Sequence, residues 1–145
     1  MTDEGHVVAI IVDDNGLDRY MVRRYLECRS EFGECLEAAT GVEFINDICD
    51  SHKLDGLSPK PILILLDINM PMLDGFETAV ALQQKVEAGE VPASLVVMIF
   101  TSSDNPEDRR RAEEIDIVKG FIVKPIDDDN VAHLLKLYQE FTRSQ

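Results

Sequence analysis

Positive charge is scarce in this chain. Fourteen lysines and arginines stand against 28 aspartates and glutamates, a formal net charge of -14. Nucleic-acid binding needs clustered Lys and Arg to neutralise phosphates, so that class of function is excluded. An acidic surface fits protein partners of basic or mixed charge, and much of the excess serves solubility. Cysteine is also sparse. Cys28, Cys35 and Cys49 are odd in number, with no C-x-x-C spacing and no nearby histidine pair. That pattern excludes a disulfide framework and an ordinary zinc site, and fits buried thiols in a reducing compartment. Met1-Thr2-Asp3-Glu4-Gly5-His6 lacks the basic start and apolar stretch of a signal peptide. No apolar run approaches the roughly 20 residues needed to cross a bilayer. A cytoplasmic protein without membrane contact is expected. Internal repeats and low-complexity segments are missing as well, and 145 residues suffice for one domain with a full core.

What is present is a set of short apolar runs that each end in a reactive side chain. Ile62-Leu63-Ile64-Leu65-Leu66 delivers Asp67, Val7-Val8-Ala9-Ile10-Ile11-Val12 delivers Asp13 and Asp14, and Leu95-Val96-Val97-Met98-Ile99-Phe100 delivers Thr101 and Ser102. A shorter run, Phe121-Ile122-Val123, delivers Lys124. Runs without helical spacing, bounded by Pro and Gly, read as buried strands of a parallel sheet, whose ligand sites lie outside the carboxyl ends. Cys35-Leu36-Glu37-Ala38-Ala39 is a weaker strand candidate near a sheet edge, because Glu37 interrupts it.

Helical spacing fills the intervals. Leu17, Met21, Tyr25 and Leu26 form an apolar stripe, with Asp18, Arg19, Arg23 and Arg24 on the other side. Val42, Phe44, Ile45 and Ile48 mark a second helix, and residues 51–60, with Gly56 and Pro59, read as an exposed loop. A third helix is expected from about Phe76 to Ala88, stopped by Gly89. Asp104-Asn105-Pro106-Glu107 starts a fourth, with a cap, a first-turn proline and an acid near the positive end of the dipole. Gly120 is expected to open the fifth strand. Asp127 and Asp128 begin a last helix with the stripe Val131, Leu134, Leu135, Tyr138 and Phe141. Five alternations predict an α/β fold, a doubly wound parallel sheet with helices on both faces.

Asp13, Asp14 and Asp67 on one rim repel. Two unit charges about 5 Å apart at an effective dielectric of about 20 cost roughly 3 kcal/mol. A shared proton or a bound cation relieves this, and an all-oxygen set with room for water suits Mg²⁺, with Mn²⁺ as the alternative. The competing account has the acids merely capping helix starts. Lys124 supplies a compact positive charge for phosphate or carboxylate, Thr101 a hydroxyl, and Ser102 is small enough to leave the approach open. Together they describe a pocket for a metal and a transferring phosphoryl group.

At these residues the chain resembles the receiver domain of bacterial two-component response regulators, above all the single-domain chemotaxis kind. The motifs are Val12-Asp13-Asp14, Asp67-Ile68-Asn69-Met70-Pro71, Asp74-Gly75, Thr101-Ser102 and Lys124-Pro125, in the family's order and spacing from about Val7 to Leu135. The resemblance implies a flavodoxin-like receiver fold with strand order 2-1-3-4-5. It also implies a single receiver domain over residues 1–145, core about 7–142, with no output domain. By the same resemblance Asp67 is the phosphoacceptor, served by a sensor histidine kinase or a phosphotransfer protein. Asp14 and Asp67 would ligate Mg²⁺ directly, Asp13 through water, and Asn69 through its backbone carbonyl. Thr101 and Lys124 would hold the phosphoryl oxygens, the Lys124–Pro125 bond would be cis, and Phe121 would stand as the switch aromatic. Phe121 can equally be a strand aromatic packed on the last helix. The family often uses the fourth helix, fifth strand and fifth helix to meet a downstream target or form a homodimer. The long 51–60 loop is similar to that of small regulators serving sensor kinases, phytochrome-linked ones among them.

Two rival functions stand beside the phosphoacceptor, which is not a turnover enzyme. One is a receiver-like interaction module that signals without phosphorylation; the complete acid, Thr and Lys set argues against it. The other is a metal-dependent phosphohydrolase with an Asp nucleophile. Against that, Asn69 stands two residues after Asp67, where a second Asp would act as general acid.

Overall fold

The computed structural model describes residues 6–143. The outermost residues of the expected 1–145 domain therefore lie outside the described part. Five strands, β1 (Val7–Val12), β2 (Phe32–Ala38), β3 (Ile62–Leu66), β4 (Leu95–Thr101) and β5 (Val118–Val123), form one sheet in the order β2-β1-β3-β4-β5. Every pairing is parallel. The helices are α1 (Gly16–Glu27), α2 (Gly41–Glu43, running into a π-helical segment Phe44–Cys49), α3 (Gly75–Glu87), α4 (Pro106–Glu113) and α5 (Asp128–Arg143).

Alternation along the strands divides the core in two. Ile10, Val12, Ile64, Leu66, Val97 and Ile99 face Phe44, Phe76, Leu82 and Ala112 of α2, α3 and α4. Ile11, Leu63, Leu65, Val96 and Met98 face Val22 and Leu26 of α1 and Val131, Leu134 and Tyr138 of α5. The central strands β1, β3 and β4 are buried throughout, as their unbroken apolar runs require, while edge strands β2 and β5 are mixed.

Local chemistry fixes where the helices begin. Asn15 caps α1 by accepting the Asp18 amide at 3.0 Å. Asp74 and Glu77 form a reciprocal capping box on α3. Asn105 caps α4, with Pro106 in its first turn. Because caps set the first turn, they also set which side chains stand over the carboxyl ends of the strands.

Three expectations fail for identifiable reasons. Leu17 and Met21 do not face the core: they are 66% and 48% exposed, and Val22 is buried in their place, beside Leu26, which is buried as expected. The helix is rotated because Arg19 and Arg23, read as its solvent side, lie on Glu37 of β2 at 3.0 and 2.5 Å. The polar segment 51–60 is not exposed throughout. Leu54 is buried in the core, reached by backbone turns at His52 and Gly56 with φ of 61° and 67°. Gly120 lies inside β5, opposite Met98, and does not open it. A Cβ there would stand 2.8 Å from Leu137 Cδ1, so the glycine lets α5 close on the strand. Among the described residues no helix is long and apolar enough to cross a membrane.

Candidate functional site

Four strand ends converge on one rim. Asp13 follows β1, Asp67 follows β3, Thr101 ends β4 and Lys124 follows β5. Backbone hydrogen bonds across these ends hold them in step: Asp67 N to Val12 O at 3.0 Å and Lys124 N to Thr101 O at 2.8 Å. Asp13 and Asp67 are 2% and 7% exposed, Thr101 is fully buried, and Asp14 is exposed.

Carboxylate oxygens of Asp13, Asp14 and Asp67 lie within 4.8 Å of one another, the one such cluster of acid, His or Cys ligands among the described residues. Hard oxygen donors at this separation, one of them exposed, match a small divalent cation that keeps part of its water. Electrostatics point the same way. Burial, and then the charge of Asp13, hold the Asp67 carboxyl above its ordinary range, although Lys124, the Thr101 hydroxyl and the Ile68 amide oppose this. A cation between the acids would offset that cost, so the residues fit the ion.

Each acid is gripped by its own loop. Asp13 Oδ1 accepts the Asn15 amide at 2.9 Å, and Arg19 Nη1 donates to the Asp13 carbonyl oxygen at 2.6 Å. Asp67 Oδ1 accepts the Ile68 amide at 2.8 Å, and the nearby Thr101 hydroxyl, which itself accepts the Ser103 amide at 3.3 Å, favours the ionised carboxylate. Lys124 Nζ donates to Asp13 Oδ2 at 2.7 Å and to Asp18 Oδ2 at 2.8 Å, and stands 3.6 Å from Asp67 Oδ2. Burial works against the Lys124 charge. Its bonds to Asp13 and Asp18, with the fields of Asp67 and Asp13, outweigh that and hold the ammonium above the usual lysine range. The Lys124–Pro125 bond is cis, as expected, and Asn130 Nδ2 ties the turn by donating to the Val123 and Pro125 carbonyls at 2.8 and 2.6 Å.

The structure thus brings together Asp13, Asp14, Asp67, Thr101 and Lys124. Asn69 is exposed on the loop that follows Asp67, between the buried Ile68 and Met70. Phe121 lies apart, opposite Ile99 of β4, already buried, with the Arg109 guanidinium 4.7 Å from its ring centroid. Thr101 is likewise buried, its hydroxyl accepting the Ser103 amide at 3.3 Å. Sequence reasoning missed Asp18, Arg19, Asn130 and Arg109. For Asp18 a signal existed: an acid in the first turn of the helix that follows the acid pair, set in place by the Asn15 cap. Ser103, two residues after Thr101, donates its hydroxyl to Asp108 at 2.7 Å.

Comparison with known proteins gives the same answer. Residues 9–136 match the model of the response regulator receiver domain. Response regulator Rcp1 of Synechocystis sp. is 27% identical over 141 residues, 96% of this chain and 90% of the relative. Among solved structures, a two-component response regulator from Cytophaga hutchinsonii superposes with a TM-score of 0.77 at 21% identity, over 93% of this chain and 98% of that one. The receiver domain of the histidine kinase CKI1 from Arabidopsis thaliana, complexed with Mg²⁺ and BeF₃⁻, superposes at 0.75 with 16% identity, over 95% and 93%. With that family matched across nearly all of the sheet and its helices, the chain belongs to the response regulator receiver domains of two-component systems.

Proposed function

We propose that this chain is a phosphoacceptor in cytoplasmic signal relay. Asp67 takes a phosphoryl group from a histidine of a sensor kinase or phosphotransfer protein. The observation that carries the reading is the burial of Asp67 between Lys124, the Thr101 hydroxyl and two further carboxylates. In the transfer the donor's N–P bond breaks and its electron pair stays on the imidazole nitrogen, while an Asp67 oxygen forms the new O–P bond. Asp67 attacks as a carboxylate, so the step depends on position and charge rather than on a general base.

Asp13, Asp14 and Asp67, with the backbone carbonyl of Asn69, would hold Mg²⁺ or Mn²⁺. When bound, the ion offsets the repulsion between carboxylate and phosphoryl oxygens. Lys124 and Thr101 would hold those oxygens through an ammonium and a hydroxyl. The CKI1 receiver, which shares this fold, is complexed with Mg²⁺ and BeF₃⁻, in keeping with a metal at such a site.

The output follows from the same residues. Added charge and acceptor oxygens on Asp67 recruit Thr101 and shift its contacts toward Phe121. Phe121 and Arg109 lie on the α4–β5–α5 face, which offers the changed surface to a downstream protein or to a second copy. The chain is not a turnover enzyme, for it lacks an acid at Asn69 to drive release. Transfer is tested by mixing the protein with a ³²P-labelled histidine phosphotransfer protein: label moves to the wild type with Mg²⁺ and not with EDTA. Label that stays on the donor in both cases contradicts the reading. Mass measurement with and without Mg²⁺ and BeF₃⁻ decides the dimer.

A further inference from the structure

Lys124 is shared in an unequal way. An ammonium has three donors, and two of them are spent at 2.7 and 2.8 Å on Asp13 and Asp18. Asp67 receives neither: its Oδ2 stands at 3.6 Å, beyond hydrogen-bond length. Asp67 is the more buried acid, with a side chain 9% exposed against 36% for Asp18, so the low-dielectric attraction alone would favour it. Asp18 competes because its place is fixed independently of Lys124. The Asn15 cap holds its amide at 3.0 Å, and the first turn of α1 favours an acid.

We propose that Asp18 is a positioning residue that holds the Lys124 ammonium off Asp67 before transfer. This rests on the phosphoacceptor reading above and adds a residue to it. Drawn toward α1, Lys124 leaves the gap between Asp13, Asp14 and Asp67 to a divalent cation. When a phosphoryl group adds its oxygens to Asp67, Lys124 turns to them and Asp18 lets go. Release is feasible, since Asp18, 36% exposed, returns to water while the more buried Lys124 exchanges it for phosphoryl oxygens. It also has room: a cleft of about 80 Å³ borders the pair, lined by Met21, Val22, Phe100, Pro125 and Ile126.

Calorimetric titration of the full chain with Mg²⁺ alone tests the idea in four proteins: wild type, Asp18→Asn, Lys124→Met and the double variant. Without Asp18, Lys124 closes on Asp67 and opposes the ion. Asp18→Asn therefore weakens Mg²⁺ binding about three- to tenfold when Lys124 is present. In the Lys124→Met background the same substitution costs at least about threefold less, because only the direct field of Asp18 remains to be lost. Asp18→Ser removes the same charge, repeats the loss and carries the test if the Asn variant fails to fold, while Asp18→Glu, which keeps the charge, stays near wild type. Equal losses in both backgrounds would make Asp18 a distant charge and overturn the proposal, as would no loss beside Lys124. A wild type that binds no Mg²⁺ overturns the site reading beneath it instead.

Discussion

Gly75 packs so closely on Asp67 that a Cβ on it would stand 2.2 Å from the Asp67 carbonyl oxygen. Its amide donates to the Ile68 carbonyl at 2.8 Å, so the start of α3 is pinned to the loop that carries Asp67. The requirement here is space, not backbone freedom. Gly75→Ala must push the loop or the helix away, and a loss of about 2–3 kcal/mol in urea unfolding is expected, with weaker Mg²⁺ binding. A variant as stable as wild type would show that the contact yields.

Ionised Asp67 costs the fold stability when no metal is present. Its folded pKa is raised above the ordinary carboxylate value of 3.8, chiefly by burial and then by Asp13. A raised pKa means its contribution is fully present below the unfolded pKa and is lost as pH rises through the folded one. In EDTA at pH 7, Asp67→Asn is therefore more stable than wild type by on the order of 1 kcal/mol, a Tm rise of about 3–5 °C. The advantage shrinks as pH falls below the carboxylate range, and Mg²⁺ narrows it by stabilising only the wild type. Thermal scans across pH that put wild type above Asp67→Asn at pH 7 in EDTA would contradict this.

The thiols divide by burial. Cys35 is pushed up to about 11 and Cys49 to about 12, each by burial, while Cys28 is exposed. Thiolate is the reactive form, so iodoacetamide at pH 8 should modify Cys28 alone in the native protein and all three thiols in urea. Rapid native labelling of Cys49, read by peptide mass, would show that the wall beside it opens.

Arg109 covers Phe121, and that contact joins α4 to β5. Arg109→Ala is expected to shift the Phe121 ring resonances and slightly lower stability. Adding Mg²⁺ and BeF₃⁻ to the wild type should move the same resonances. Ring signals that stay put with the analogue bound would remove Phe121 from the output path and leave it a packing residue.

How much of this could be read beforehand follows from which contacts are local. β1, β3 and β4 were legible because burial on both faces demands unbroken apolar runs, and each run delivers its functional residue at the end. β2 declared itself an edge through Glu37. The α1 face was misread because helical spacing gives an amphipathic direction but not which polar residues a sheet edge will claim, here Arg19 and Arg23 on Glu37. Leu54 was hidden because it and Leu57 stand three apart in an otherwise polar stretch with Gly and Pro, too few apolar residues to show a period. Asp18 escaped because its partner, Lys124, is 106 residues away, and no local pattern pairs them.

The central claim is that Asp67 is phosphorylated, and one measurement addresses it directly. The protein is incubated with Mg²⁺ and acetyl phosphate, trapped with borohydride, digested and sequenced by mass spectrometry. The account predicts a single trapped site at Asp67, lost with EDTA and in Asp67→Asn. No adduct on wild type, or one that persists in Asp67→Asn, would contradict it.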